Sequence, residues 1–111
     1  VASDPVAVNQ AEFHPLWHHK ELLDYCRDHK IRLLAFGSLG SPRGASALKS
    51  HEYFRALAAA VGEDVTVPEM LLRWVLQHGA AAIFSSTHEA HMKGNLQASL
   101  EPPLPGAVME A

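Results

Sequence analysis

The spacing of hydrophobic and polar residues changes several times along the chain, and each change marks a new element. Residues 5–13 alternate between larger and smaller side chains and carry the β-branched Val6 and Val8, which favours a short strand. Pro15 cannot donate to a strand ladder and predicts a turn. Residues 18–29 change to helical spacing, with an apolar face made of Leu22, Leu23 and Cys26.

The middle of the chain predicts a buried strand, a loop and a helix. Residues 31–36 form a short apolar run of the kind found in buried parallel strands. Residues 37–49 are rich in Gly, Ser and Pro and predict an irregular loop. Ser50 is placed to cap a helix that ends at Gly62. The apolar stripe of this helix consists of Tyr53, Phe54, Leu57, Ala58 and Val61.

A second helix opens with Thr66 and Glu69, which have the spacing of a capping box. In that motif each side chain binds a free backbone amide of the other residue. The helix ends at Gly79, and its buried face consists of Met70, Leu71, Trp74 and Val75. Residues 80–84 then predict a third buried strand, and residues 88–99 predict a further helix.

The resulting order of strands and helices is typical of a parallel α/β protein. Three strands are too few to close a barrel, and both outer strands would leave apolar edges unpaired. We therefore expect residues 1–99 to be a fragment, or a subunit of something larger. Residues 100–111 contain EPPLPG, which cannot continue a helix, and predict a mobile tail.

Composition and charge narrow the class of protein. The chain of 111 residues is 48% hydrophobic and 19% charged, which is ordinary for a globular domain and too apolar for disorder. Its net charge of −3, without a basic block, argues against nucleic acid or an anionic membrane as a partner. No apolar segment approaches the roughly 18 residues of a membrane span, and no signal-peptide pattern opens the chain. We expect a cytoplasmic protein.

The cysteine and the histidines offer weaker candidate sites. Cys26 is the only cysteine, so no internal disulfide can form, and its apolar helix face predicts core packing. Glu12, His14, His18 and His19 lie close in sequence and suggest a metal site. No second cluster follows at zinc-like spacing, however, so we expect none. The eight histidines are expected on the solvated surface.

Three stretches in this order resemble the aldo-keto reductase family, whose fold is a TIM-type (β/α)8 barrel. Residues 8–15, VNQAEFHP, are similar to the family's VNQ-x-E-x-HP. Residues 35–41, AFGSLGS, are similar to its A-[YFW]-S-P-L-G, and residues 83–95 to a weakened I-P-K-S-x-x-x-x-R-[IL]-x-E-N. The resemblance extends to about Ser99. It implies the C-terminal half of a barrel, with the three strands as the sixth, seventh and eighth.

The resemblance also implies a nicotinamide cofactor, NADP or NAD. Gln10 would hydrogen-bond the nicotinamide carboxamide, and Phe36 would stack on the nicotinamide ring. The backbone amides and hydroxyls that would line the pyrophosphate belong to Gly37, Ser38, Leu39 and Ser41. Ser86 and Asn95 would lie at the adenosine end. This agrees with the general position of phosphates after the last two strands of such barrels, next to a helix N-terminus. Without the resemblance, Gln10 could satisfy backbone groups and Phe36 could be barrel packing.

Two departures from the family pattern concern the 2′-phosphate of NADP. Ser85 stands where the family usually has a lysine, and His91 stands where it has an arginine. Fixed cations normally select this phosphate, so we expect at most a modest NADP preference, growing below about pH 6.5 as histidine protonates. Arg43 or Lys93 could supply the charge instead.

The family's catalytic tetrad of Asp, Tyr, Lys and His lies on earlier strands than these. Tyr25 and Tyr53 fall on helices and His14 on a turn, so we assign no catalytic residue to this chain. The expected function is the cofactor-binding part of an oxidoreductase that reduces carbonyl compounds. The alternative is a non-catalytic remnant that acts as a binding or association module. The expected partners are a small carbonyl substrate and the missing barrel half, or a second copy.

Overall fold

Three parallel strands form the sheet in the computed structural model, which describes residues 3–40 and 45–110. They are β1 (Val8–Glu12), β2 (Arg32–Phe36) and β3 (Ala81–Ala82), in that spatial order. Parallel neighbours need long crossovers, and helices supply them. The predicted α/β class and the three parallel strands are therefore confirmed.

Six helices accompany the sheet in the described part of the chain. Their bounds are α1 (Lys20–Asp28), α2 (Ala45–Ser50), α3 (Glu52–Val61), α4 (Val67–Gln77), α5 (Glu89–Ala98) and α6 (Gly106–Met109). None of the helices within residues 3–40 and 45–110 is long and apolar enough to cross a bilayer.

The helices cover one face of the sheet and leave the other open. Leu33 and Ala35 of β2 are buried against the helices, because alternate strand residues point to the same face. On the opposite face Val8 and Phe36 are 46% and 40% exposed. The sheet is therefore covered by helices on one face and exposed on the other, as in part of the wall of a barrel.

Helix α4 is the centre of the core, and its start was largely predictable. Met70, Leu71, Trp74 and Val75 are buried as expected. The Thr66 hydroxyl accepts the backbone N–H of Glu69 at 3.2 Å, which confirms half of the capping box. The other half is wrong, because the Glu69 carboxylate pairs with Arg73 at 3.2 Å instead. Arg73 is 8% exposed, so pairing this charge outweighs satisfying one backbone amide.

Several boundaries differ from the sequence prediction, and β1 covers Val8–Glu12 where residues 5–13 were predicted. Residues 45–50 form helix α2 within the predicted loop. Helix α3 begins at Glu52 with His51 as its N-cap, so Ser50 ends α2 and does not cap α3. Tyr53 is 46% exposed, and the buried stripe of α3 begins at Phe54. Strand β3 has two residues instead of five, since no further strand pairs with it in the described residues.

The C-terminal segment, for which the sequence predicts a mobile tail, packs against α4 in the structure. Leu104 and Val108 are buried in the common core. The Arg73 guanidinium donates to the Pro102 carbonyl at 2.7 Å, and the Trp74 indole donates to the Met109 carbonyl at 3.2 Å. The prolines do prevent a helix over residues 102–105, but they leave carbonyls free for these side-chain donors.

The predicted burial is correct for Cys26 and wrong for His14. Cys26 is buried in the core, as its helix face predicted. His14 is only 8% exposed, so the prediction of a solvated surface position is wrong for this histidine. Its Nε2 atom lies 3.0 Å from Glu12 Oε1, whereas its buried Nδ1 atom has no hydrogen-bond partner among the described residues.

Candidate functional site

The carboxyl ends of the strands meet at one edge of the sheet, because all three strands are parallel. Glu12 pairs in register with Phe36, and the next amide, of Phe13, donates to the Phe36 carbonyl at 3.2 Å. After β3, the Ile83 amide donates to the Ala35 carbonyl at 2.8 Å. The turns that follow β2 and β3 therefore begin side by side.

The turn after β2 depends on two glycines. Gly37 has φ of 67° and Gly40 has φ of 87°, both in the left-handed region that glycine favours. The Gly40 amide donates to the Gly37 carbonyl at 2.8 Å and closes the turn. A Cβ atom at position 37 would lie 3.4 Å from Glu12 Cγ, so the backbone runs close to the end of β1.

Ser38 is almost fully buried, at 1% exposed, and its hydroxyl is used within the protein. Ser38 Oγ donates to the Phe13 carbonyl at 3.1 Å. A hydroxyl has one proton to donate, so this side chain is not free to donate to a phosphate as well. Its role in the structure is to hold the β2 turn against the end of β1. Any contact of Ser38 with a ligand would have to come from its backbone.

Gln10 and Phe36 lie on the open face of the sheet. Gln10 pairs in register with Leu34, two residues before Phe36 on β2. Strand alternation places Gln10, Leu34 and Phe36 on the same face, opposite to the buried Leu33 and Ala35. The structure thus brings the two residues predicted for the nicotinamide end to one surface.

A cleft of about 430 Å³ lies beside this edge, between the β2 turn and helices α4 and α5. It brings together three predicted residues, Leu39, Ser86 and Asn95. The two positions that depart from the family pattern, Ser85 and His91, also line it. The remaining lining residues are Lys49, Thr66, Pro68, Glu69, Ala90 and Gly94. Gln10, Phe36, Gly37 and Ser38 are outside the cleft, and Ser41 and Arg43 fall outside the described residues.

The N-terminus of α5 opens into the cleft. The Ser86 hydroxyl accepts the His88 amide at 3.1 Å and orders the turn into the helix. Ala90 and His91, in the first turn of α5, line the cleft. First-turn amides have no partner within a helix, and together with the helix dipole they favour an anion.

Lys49 is the cleft residue that the motifs did not indicate. It lies near the end of α2, in a segment predicted to be an irregular loop, and its side chain reaches the cleft wall. The packing of α2 against α3 brings Lys49 into the same cleft as Ser85, so no local pattern could have predicted this position. The acidic member of the lining, Glu69, pairs with Arg73.

A metal does not account for the cleft. Within residues 3–40 and 45–110, no three side chains of His, Cys, Asp or Glu come together in a group that could hold an ion. The donors that line the cleft are instead hydroxyls, an amide, an imidazole and an ammonium group. This combination suits a phosphorylated or otherwise anionic ligand.

Comparison with known proteins gives a family match over nearly the whole chain. The profile of the Aldo/keto reductase family matches residues 2–111. Among curated proteins, NADPH-dependent codeinone reductase 1-2 of Papaver somniferum is 36% identical over 99 residues, covering 86% of this chain and 30% of the relative. Deoxymugineic acid synthase 1 of Oryza sativa subsp. japonica is 34% identical over 98 residues, with the same coverage. The chain thus spans about 30% of the length of these relatives.

Solved structures agree with this match. MGS-M4, an aldo-keto reductase enzyme from a deep-sea metagenome library of the Medee basin, superimposes with a TM-score of 0.88 at 28% identity. The alignment covers 98% of this chain and 39% of that one. A variant of Gox0644 in complex with NADPH superimposes with a TM-score of 0.79 at 26% identity, over 94% of this chain and 36% of that one.

Proposed function

Because the chain belongs to the Aldo/keto reductase family, we propose that it is the nicotinamide-cofactor-binding part of an oxidoreductase that reduces carbonyls to alcohols. Residues 1–99 would be the C-terminal half of the barrel, with β1, β2 and β3 as its sixth, seventh and eighth strands. Residues 100–111 would be a C-terminal extension held on α4. The remaining strands would come from the same polypeptide or from a partner chain, and the resulting assembly is called the complete protein below.

The cleft at the carboxyl edge of β2 and β3 is the observation that carries this proposal. In (β/α)8 barrels ligands bind at this edge, and phosphates commonly lie after the last two strands. Leu39 and Asn95 meet there with Ser86 at the N-terminus of α5. The lining fits a dinucleotide, since the Asn95 amide, the Ser85 hydroxyl and the Lys49 ammonium can each donate to a phosphate. The backbone amides of Gly37 and Ser38 would bind the pyrophosphate between the cleft and the sheet.

Gln10 and Phe36 would bind the nicotinamide on the open face of the sheet. Phe36 is 40% exposed, so its ring is free to stack on a flat ligand. The Gln10 side chain, on the same face, offers a donor and an acceptor that match a carboxamide. When bound, the cofactor supplies a hydride, and the protein's part is to orient its ring and exclude water.

Proton donation would come from the part of the complete protein that this chain does not contain. Tyr25 and Tyr53 are 55% and 46% exposed on helices α1 and α3, and neither lines the cleft. Neither side chain can therefore protonate a carbonyl oxygen at the open face. We further propose that the missing strands cover this face, where Val8, Phe36 and Ile83 are exposed. A cytoplasmic location is part of the same proposal.

Cofactor titration of the complete protein tests the proposal. Loss of the Phe36 ring in Phe36→Ala should weaken NADPH and NADH binding alike, by about two- to tenfold, since an aromatic stack is worth about 0.5–1.5 kcal/mol. Tyr53→Ala is the matched control, because it removes an aromatic ring of similar exposure far from the site and should change neither affinity. If the wild-type complete protein binds neither cofactor, the proposal is wrong and an association module is the better description.

A further inference from the structure

Among the described residues, the lysine and arginine side chains near the cleft differ in whether they already form ion pairs within the protein. Arg73 is buried and donates to Glu69 and to the Pro102 carbonyl. Lys93 pairs with Glu89 at 2.6 Å along α5 and does not line the cleft. Lys49 lines the cleft and takes part in none of the ion pairs found among residues 3–40 and 45–110. Its charge is therefore available to a ligand.

The electrostatic character of the cleft follows from these pairs. Glu69 supplies the carboxylate of the lining, and Arg73 neutralises it at 3.2 Å. What remains is the Lys49 ammonium, in the same cleft as Ser85, Ser86 and the first turn of α5. The Ser86 hydroxyl donates to the His88 carbonyl at 3.3 Å, so the donors that the cleft offers are the flexible Lys49 ammonium, the Ser85 hydroxyl and the first-turn amides of α5. This set is complementary to a phosphate dianion.

The position of the cleft indicates which phosphate it would bind. The nicotinamide end of the proposed site is at Gln10 and Phe36, on the sheet, whereas the cleft lies beyond the β2 turn and against α5. A dinucleotide that extended from the sheet through this turn would have its adenosine in the cleft. The 2′-phosphate at that end is the group that distinguishes NADPH from NADH.

We propose that Lys49 binds the 2′-phosphate and sets a preference for NADPH over NADH. This inference rests on the proposed cofactor site. It replaces the expectation of a weak preference, since a cation from α2 takes the place of the one missing at Ser85. Neither Lys93, which is paired with Glu89, nor a protonated His91 is needed.

Calorimetric titration of the complete protein at pH 8 tests the assignment directly. Four ligands are compared: NADPH, NADH, adenosine 2′,5′-bisphosphate and 5′-AMP. Lys49→Gln should weaken binding of the two ligands with a 2′-phosphate by about tenfold or more, because it removes a charge-assisted hydrogen bond. Binding of NADH and 5′-AMP should change by less than about twofold. Lys93→Gln, which removes an exposed lysine outside the cleft, should leave all four affinities unchanged.

Rescue separates a direct contact from a structural role. Adding Ser85→Lys to Lys49→Gln restores a cation to the same cleft and should recover most of the NADPH affinity, and Lys49→Arg should keep it. Equal weakening of all four ligands by Lys49→Gln, or unchanged NADPH binding, overturns the assignment of Lys49. Failure of the wild-type protein to bind either cofactor overturns the proposed function instead, and this inference with it.

Discussion

The contact between the C-terminal segment and α4 provides the sharpest test of the fold. Leu104 is 3% exposed and belongs to the core. The Gln77 side chain binds its backbone twice, accepting the Leu104 amide at 2.7 Å and donating to the Leu104 carbonyl at 3.1 Å. If this packing is correct, Leu104→Ala must leave a cavity beside α4. If the segment is mobile, the substitution should have almost no effect.

The expected magnitude follows from burial. Truncation of a buried leucine to alanine costs about 2–5 kcal/mol, depending on how far the surroundings collapse into the cavity. Leu104 lies in a segment at the edge of the core, which can relax, so we expect a loss of about 2–3 kcal/mol of unfolding free energy. Leu100→Ala removes the same atoms from a side chain that is 72% exposed and should cost no more than about 0.5 kcal/mol.

Urea unfolding of the complete protein measures both variants, followed by tryptophan fluorescence. Hydrogen exchange of the Leu104 amide gives a second readout, since Gln77 protects this amide in the structure. Leu104→Ala should speed its exchange, whereas Leu100→Ala should not. Equal unfolding midpoints for the two variants, together with rapid exchange at Leu104 in the wild-type protein, would refute the packed arrangement.

The remaining predictions concern the isolated chain and helix α4. The 111-residue chain alone should associate or unfold non-cooperatively, because the described outer strands and the apolar open face lack partners. A compact monomer in sedimentation, with cooperative unfolding, would contradict this. The same chain should oxidise no NADPH in the presence of aldehydes, and turnover above a protein-free control would show that a proton donor was missed. In the complete protein, Thr66→Ala should lower the unfolding free energy by about 1 kcal/mol through loss of the helix cap. The exposed Thr87→Ala should change it by less than about 0.5 kcal/mol, and equal effects of the two variants would argue against the cap.

Helix α4 shows what local sequence can determine. The Thr66 hydroxyl and the Glu69 amide are three residues apart, so helix geometry alone brings them to hydrogen-bond distance. The apolar residues Met70, Leu71 and Trp74 recur at helical spacing and must share a face. The ion pair between the Glu69 carboxylate and Arg73, in contrast, could not be predicted from local sequence. It depends on the burial of Arg73, which depends on the segment that covers this arginine.

The loop after β2 and the C-terminal segment show where local signals fail. Residues 37–49 contain turn-forming residues, yet 45–50 are helical, in contact with α3. Residues 102–105 are proline-rich and lack a helical pattern, yet Leu104 is part of the core. The C-terminal segment is held by side chains distant in sequence, such as Gln77, and a local sequence pattern cannot predict such contacts.

The sequence by itself determined the class of fold and the parallel strands, which follow from the alternation within strands, the spacing within helices and the order of elements. The cofactor site at the carboxyl edge of the strands was predicted from the resemblance of three motifs to a family, and it stays a prediction. Only the tertiary structure showed that the Ser38 hydroxyl is used to hold the turn and that Lys49 and Ser85 line the same cleft. The two positions reach one cleft because parallel strands direct the loops that follow them to one edge of the sheet. The direction and packing of those loops are properties of the assembled chain.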